Sequence, residues 1–177
     1  MKKGFAMLVG LVLLELTGGC AKHVTVQKSL VAQDNLLPKL HMNSPVSIVA
    51  LPHESNEQVN FCKKGLGPMT LVYNDVTDYA VQSMVDILSR NNVRVVNDAP
   101  KSLTVSVIQA SCDQELAAMN YIVDISVAAG DKPPKQFSGN QRLWSAHALS
   151  FTVTAATLNA VLEMFKDKEI REYLETN

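Results

Sequence analysis

Apolar and polar residues alternate with period two in several short runs of this chain and recur every three or four residues in two longer ones, so strands and helices can be read separately. Val24 and Val26 alternate with Thr25 and Gln27 and begin a short strand. Pro38 and Pro45 interrupt the next stretch, 28–45, which has no period and reads as loop. Val46-Ser47-Ile48-Val49-Ala50-Leu51 is rich in β-branched residues and flanked by Pro45 and Pro52, so it is the first secure strand. The polar stretch from His53 to Pro68 carries Gly65 and Gly67 and predicts a loop or ragged hairpin leading into a strand over 69–73. Asn74 or Asp75 then caps a helix, with Asp75 and Asp78 where the positive end of the helix dipole favours carboxylates. Val76, Tyr79, Ala80, Met84, Ile87 and Leu88 share one face of it, Arg90 sits near its other end, and Asn91-Asn92 stops it.

A strand over 93–96 follows, and then 103–108, where Leu103, Val105 and Val107 face one way and Thr104 and Ser106 the other. That alternation belongs to a sheet with one wet side. The run 121–127 repeats it with Asp124 and Ser126 outward, residues 130–134 form a turn by composition, and 135–144 pairs back as the hairpin partner. Ala155, Leu158, Val161, Leu162 and Phe165 form a helical stripe within 152–165. The charged run 166–169 comes next, and Ile170, Tyr173 and Leu174 dock one more short helix. The order predicts an α+β fold: a single mostly antiparallel sheet with two main helices packed on one face. No repeat or shift of composition marks a second domain, so 46–177 reads as a single α+β domain.

The first twenty residues do not belong to that pattern. Lys2 and Lys3 precede an apolar run of about a dozen residues, well short of the roughly 20 that span a bilayer, and Thr17-Gly18-Gly19-Cys20 supplies small residues before a cysteine. This reads as an export signal. Leu16-Thr17-Gly18-Gly19-Cys20 resembles a bacterial lipoprotein signal. That resemblance implies removal of residues 1–19 and lipidation of Cys20, with diacylglyceryl on its sulfur and an acyl chain such as palmitate on its amine. Two acyl chains suffice for stable attachment, so the implied partner is the membrane, reached through lipid on Cys20. Ala21, where an aspartate resembles an inner-membrane retention signal, implies the outer membrane and its periplasmic face. Residues 20–45 then read as a lipidated cysteine and tether, with Ala21, Lys22 and His23 unstructured beside the bilayer. Twenty-five extended residues reach about 80–90 Å, which lets the domain hang well away from its lipid.

Charge and cysteines narrow the field. Taking Lys2, Lys3 and Glu15 from the 16 basic and 17 acidic residues leaves a mature net charge of −2. With no basic stripe, nucleic acid is not an expected partner. Cys62 and Cys112 remain after Cys20, in a compartment that permits disulfides. They are either a bridge or two buried free thiols, and geometry decides between them. Neither belongs to a Cys-x-x-Cys pair, which leaves a redox or thiolate-metal role unsupported.

No motif names a chemistry. Lys63-Lys64-Gly65-Leu66-Gly67 lacks the spacing of a phosphate-binding loop and runs into Pro68. His53-Glu54-Ser55 holds three catalytic residue types, but neighbours in a loop do not converge on one atom, and no Gly-x-Ser-x-Gly elbow exists. His23, His41, His53 and His147 are scattered, without the i, i+4 spacing of a helical metal site. Asp75 and Asp78 suit the helix start and Asp86 a solvated face, while Trp144 at a strand end is a packing residue before it is a binding platform. No catalytic residue, cofactor or metal ligand is expected.

The order of parts resembles the YajG-like envelope lipoproteins, a poorly characterised bacterial family. The resemblance runs through Cys20-Ala21-Lys22, the valines at 24 and 26, Val46-Ser47-Ile48 and the helix across 75–90. It continues through 103–108, Tyr121-Ile122-Val123-Asp124, Lys135-Gln136-Phe137 and Ile170-Arg171-Glu172-Tyr173-Leu174. Cys62 and Cys112 stand outside that pattern. The resemblance implies location and architecture and supplies no catalytic residues. Two expectations for function follow: a non-enzymatic accessory, assembly or scaffolding factor with an envelope protein partner, or a binding module for a lipid, glycan or peptidoglycan fragment.

Overall fold

The computed structural model describes residues 22–26, 32–53, 58–62, 69–115, 118–143 and 149–176. Residues 1–20, where the sequence predicts an export signal and a lipidated Cys20, lie outside the described residues, as do Glu54, Ser55, residues 63–67, Trp144 and His147. Seven described strands form one sheet: β1 (Lys22–His23), β2 (Val46–Ala50), β3 (Gln58–Cys62), β4 (Met69–Val72), β5 (Lys101–Glu115), β6 (Ala118–Ala129) and β7 (Lys135–Leu143). Their order is β1-β4-β3-β5-β6-β7, with β2 also on β5. The long ladders, β5 with β6 and β6 with β7, are antiparallel, as is β3 with β4; β1–β4 and β2–β5 are parallel. The fold is therefore α+β with a mostly antiparallel sheet.

Core-facing residues of the sheet are the expected alternating ones, Leu103, Val105 and Val107 on β5 and Tyr121, Val123, Ile125 and Val127 on β6, all buried. The alternation does not stop at residue 108. A bulge between Val107 and Gln109 inserts Ile108, so the inward set changes from odd to even numbers and β5 continues through Ala110 and Cys112 to Glu115. Read without the bulge, Gln109 ends the pattern, which is why the sequence predicts a strand only over 103–108, less than half of β5.

Helix α1 (Tyr73–Arg90) buries Val76, Tyr79, Ala80, Met84, Ile87 and Leu88, the predicted face. It starts at Tyr73 and has no side-chain cap; Asn74 instead accepts the backbone N–H of His53 at 2.7 Å. Its far end stops as expected, with Asn91 as C-cap and Asn92 in the left-handed region at φ 60°. The predicted strand over 93–96 is reduced to one bridge, Val95 with Val46, because the chain turns away at 97–100. Helix α2 (Leu149–Lys166) is buried almost all round, with Thr152, Thr154 and Thr157 enclosed beside Val153, Ala156, Val161 and Phe165. The charged run becomes a cap: Asp167 accepts the N–H groups of Glu169 and Ile170 at the start of α3 (Lys168–Glu175).

On the side of β5 away from β6, β2 covers residues 101–105 and β3 begins only at Cys112. Helix α1 fills the interval. The Thr77 hydroxyl accepts the N–H of Val107 and donates to the carbonyl of Tyr73, and the Tyr73 hydroxyl accepts the N–H of Ala110 at 3.2 Å. Side chains thus satisfy backbone groups that the sheet leaves open there.

The described residues before β2 are a strap rather than a free tether. Lys22 and His23 pair with Met69 and Thr70, and the Val24 N–H continues to Thr70 O. Further on, Arg90 reaches the carbonyl of Ala32 and pairs with Asp34, the Leu40 N–H donates to Asn91 Oδ1, and Arg171 donates to the Lys39 carbonyl. Val24, Ala32 and Leu40 join the core, which fixes the strap across the helix ends. Lys22 and His23, expected to be unstructured, are paired, and the described residues 32–45 are held to the domain by buried apolar side chains although their lack of period reads as loop. Cys20, Ala21 and residues 27–31 lie outside the described residues.

Candidate functional site

Strand β7 is the long edge of the sheet among the described residues. Gly130 at φ 59°, under the ring of Tyr173, turns the chain back from β6, and Pro133-Pro134 precede the strand. Its ladder with β6 runs in unbroken register from Lys135↔Val127 to Leu143↔Met119. On its core side Gly139 lies against α2 so closely that an added Cβ would sit 2.0 Å from the Ala156 carbonyl oxygen and 2.2 Å from the Ala160 nitrogen. Helix α2 therefore packs directly on the backbone of the edge strand.

The outer edge of β7 has no strand beyond it among the described residues. Asn159 on α2 donates to the Asn140 carbonyl at 2.7 Å, so that carbonyl points away from β6. Backbone groups of Gln136, Ser138 and Arg142, at the same parity, point the same way. Edges of this length are ordinarily blunted by internal lysine, proline or a bulge; here the cations Lys135 and Arg142 stand at the two ends, and the span between them is Gln-Phe-Ser-Gly-Asn-Gln. The opposite edge, β1, is two residues long. Beside β7 and α2 lies a groove of about 690 Å³, lined by Asn35, Leu36, Ser138, Asn140, Asn159 and Lys166 among others. Its amides and hydroxyls are mixed with Leu36, Ile122 and Leu162, and Leu36 is 52 % exposed.

A second surface lies on the helix-free face of the sheet, where Val49, Leu51 and Ile108 are exposed large apolar residues. Alternation along β2 and the bulge in β5 turn them away from the core.

Cys62 and Cys112 are directly opposed in β3 and β5, with Cα atoms 5.0 Å apart, and form a disulfide. Among the described residues that pair is the whole of the β3–β5 ladder. Extending it across the sheet gives one row: Lys22, Met69, Cys62, Cys112, Tyr121 and Gln141. The sequence singled out both cysteines and the strand at 135–144; it carried no signal that the outer edge of β7 is open.

The described polar residues among those weighed for catalysis do not converge. The His23 ring is 3.5 Å from the Thr70 hydroxyl, the His53 ring stands edge-on to Tyr73, and the His41 N–H donates to Glu175. Asp86 lies 3.8 Å from Arg90, while Asp75 occupies the first turn of α1. Among the described residues no three His, Cys, Asp or Glu side chains come together as a metal site. The strongest electrostatic cluster is at the other end of β7: Lys135 sits 2.8 Å from Asp167 and 3.1 Å from Glu169. Partial burial opposes ionisation of Asp167, but Lys135 and the backbone N–H groups of Ile170 and Glu169 outweigh it and hold the carboxyl below its ordinary value. Hydrogen bonds from the Lys135 ammonium to Asp167 and Glu169 raise its own pKa. Glu175 is lowered too: burial opposes it, and the His41 N–H and Arg171 prevail. These groups cap and clamp α3.

No protein-family model matches this chain, and no curated protein matches it significantly. Among solved structures the chain is similar to the crystal structure of protein XCC0632 from Xanthomonas campestris, assigned to the family model DUF330. The identity is 14 %, covering 87 % of this chain and 92 % of that one, with a TM-score of 0.47. At that level of likeness no residue role is carried over. No helix among the described residues is long and apolar enough to cross a membrane.

Proposed function

We propose that this chain is a non-enzymatic accessory or scaffolding lipoprotein of the cell envelope, YajG-like in kind, lipidated at Cys20 on the periplasmic face of the outer membrane. It engages a protein partner by adding a strand to the edge of β7. The observation that carries the reading is that edge: nine residues in regular register, with no strand beyond it among the described residues and backbone donors and acceptors aimed outward, the Asn140 carbonyl being taken by Asn159. Strand addition takes its affinity from main-chain hydrogen bonds and its specificity from alternate side chains. The groove beside β7 and α2, with its mixture of amides and leucines, favours the second reading, a site for a glycan or peptidoglycan fragment.

In-cell photocrosslinking separates the two. A photoreactive amino acid at Gln136 or Asn140 is expected to capture one envelope protein, and the same group at the exposed turn residue Asp131 is not. Ser138→Pro removes an outward donor while leaving the β6 ladder intact, so it should abolish the adduct in a folded chain. Absence of a protein adduct, with a glycan or lipid co-purifying instead, would overturn the accessory reading.

A further inference from the structure

We infer that the lipid on Cys20 holds the β1 end of the sheet directly against the bilayer surface, so that the domain stands on the membrane by its disulfide row rather than hanging from a tether. The inference rests on the lipidation proposed above. A single residue, Ala21, separates Cys20 from Lys22, whose backbone already pairs with Met69. Two residues of extended chain reach at most about 7 Å. The acylated cysteine is thus confined to the immediate neighbourhood of the sheet, whereas 25 free residues would have allowed more than ten times that distance.

The topology says which end is confined. Strand β1 is parallel to β4, which is antiparallel to β3, which is parallel to β5. The chain entering β1 from Cys20 therefore arrives at the same end of the sheet at which β5 leaves through Asp113. In the row Lys22, Met69, Cys62, Cys112, adjacent strands are about 4.8 Å apart, and the Cys62 and Cys112 Cα atoms are 5.0 Å apart. Cys112 is thus only about 15 Å across the sheet from the anchored strand. From Cys112 to Leu103, the partner of Ala129, strand β5 runs about 30 Å in the opposite direction. The β6–β7 turn and α3 therefore project into the aqueous space. The outer edge of β7 belongs to the opposite side of the sheet from β1, clear of the lipid attachment.

The test uses the full lipidated chain in phosphatidylethanolamine–phosphatidylglycerol vesicles containing a headgroup nitroxide. A coumarin amino acid replaces either Asp113, exposed beside the disulfide row, or Asp131, exposed in the β6–β7 turn. The Asp113 probe is expected to lose about half its fluorescence and the Asp131 probe almost none, because about 30 Å of strand separates them. Inserting about twelve Gly and Ser residues between Ala21 and Lys22, a coil spanning about 20 Å, should bring Asp113 down to the level of Asp131. Equal quenching at the two positions in the uninserted chain, or no change on insertion, overturns the inference while leaving lipidation standing. Absence of lipid mass on the wild-type chain overturns both.

Discussion

Strands β5, β6 and β7 are held by ladders that run nearly their full length, whereas among the described residues β1, β4 and β3 join that ladder at one residue pair, Cys62 with Cys112. The long half is buried by α1 and α2 on a face of alternating Val, Ile and Tyr, and it owes its cohesion to apolar area and backbone pairing. The short half has few residues to bury. A covalent bond and the seating of Tyr73 and Thr77 in the gap along β5 take the place of a ladder. Cohesion that is distributed in one half is concentrated at a few atoms in the other, so single changes should act differently in the two.

The largest effect is expected at the disulfide. Closing a loop over a separation of 50 residues constrains the unfolded chain by about 4 kcal/mol in the chain-entropy model. Replacing both cysteines by alanine should lower the urea midpoint accordingly. Amide exchange should quicken in β1, β3 and β4 while the amides of β6 keep their relative order of protection. Uniform acceleration across the sheet would show that the two halves are one cooperative unit and end the comparison.

In the long half, the most sensitive position is Gly139. A valine there meets the backbone of α2 at Ala156 and Ala160, which cannot yield as a side-chain tip can, and the cost is expected to be about 3 kcal/mol. Ser138→Val, on the exposed face of the same strand, should change stability by less than about 0.5 kcal/mol. Comparable losses at both positions in thermal melts would contradict the close approach of helix and strand. Between the halves, Tyr73→Phe leaves the buried N–H of Ala110 without its acceptor and should cost about 1–2 kcal/mol. Hydrogen exchange at Ala110 is the readout, and unchanged protection there would mean the hydroxyl is not its partner in solution.

Much of the long half was legible because its signals are local and mutually consistent. Val105, Val107, Ile125 and Val127 alternate in strands, and Val76, Tyr79, Ala80 and Met84 repeat in a helix. What was hidden depends on partners distant in sequence. The Ile108 bulge reverses the parity of β5, a change that only the ladder with β6 makes visible. Asn74 resembles a cap and is instead bound by His53. Lys22 and His23 have no strand pattern of their own and are strand only because β4 offers an edge. The outer edge of β7 was illegible for a related reason: openness is a property of sheet order, and no residue type announces it. Its helix-side contact could have been suspected from Gly139, an isolated glycine within a strand pattern, which often marks close backbone approach.

The smallest effect concerns the clamp at the far end of β7. Asp167 caps α3 and pairs with Lys135, and Asp167→Ala should cost about 1 kcal/mol through the lost cap. Its folded pKa lies below the unfolded value of about 3.9, so the folded state binds the proton less readily than the unfolded one. The stabilisation is therefore complete above about pH 5 and is lost as pH falls below about 4 through the depressed folded value. Glu175, also lowered, adds to the same acid limb. Asp167→Asn keeps an oxygen for the N–H groups of Glu169 and Ile170 but removes the charge. It should be slightly less stable than wild type at pH 7, with a narrower gap at pH 3, below the unfolded value of about 3.9. Urea midpoints at the two pH values measure this, and a gap that does not narrow on acidification would show that the charge of Asp167 contributes nothing. Because the clamp belongs to the long half, neither substitution should alter exchange in β1, β3 or β4, which makes the far end of the sheet a control for the disulfide-bearing one.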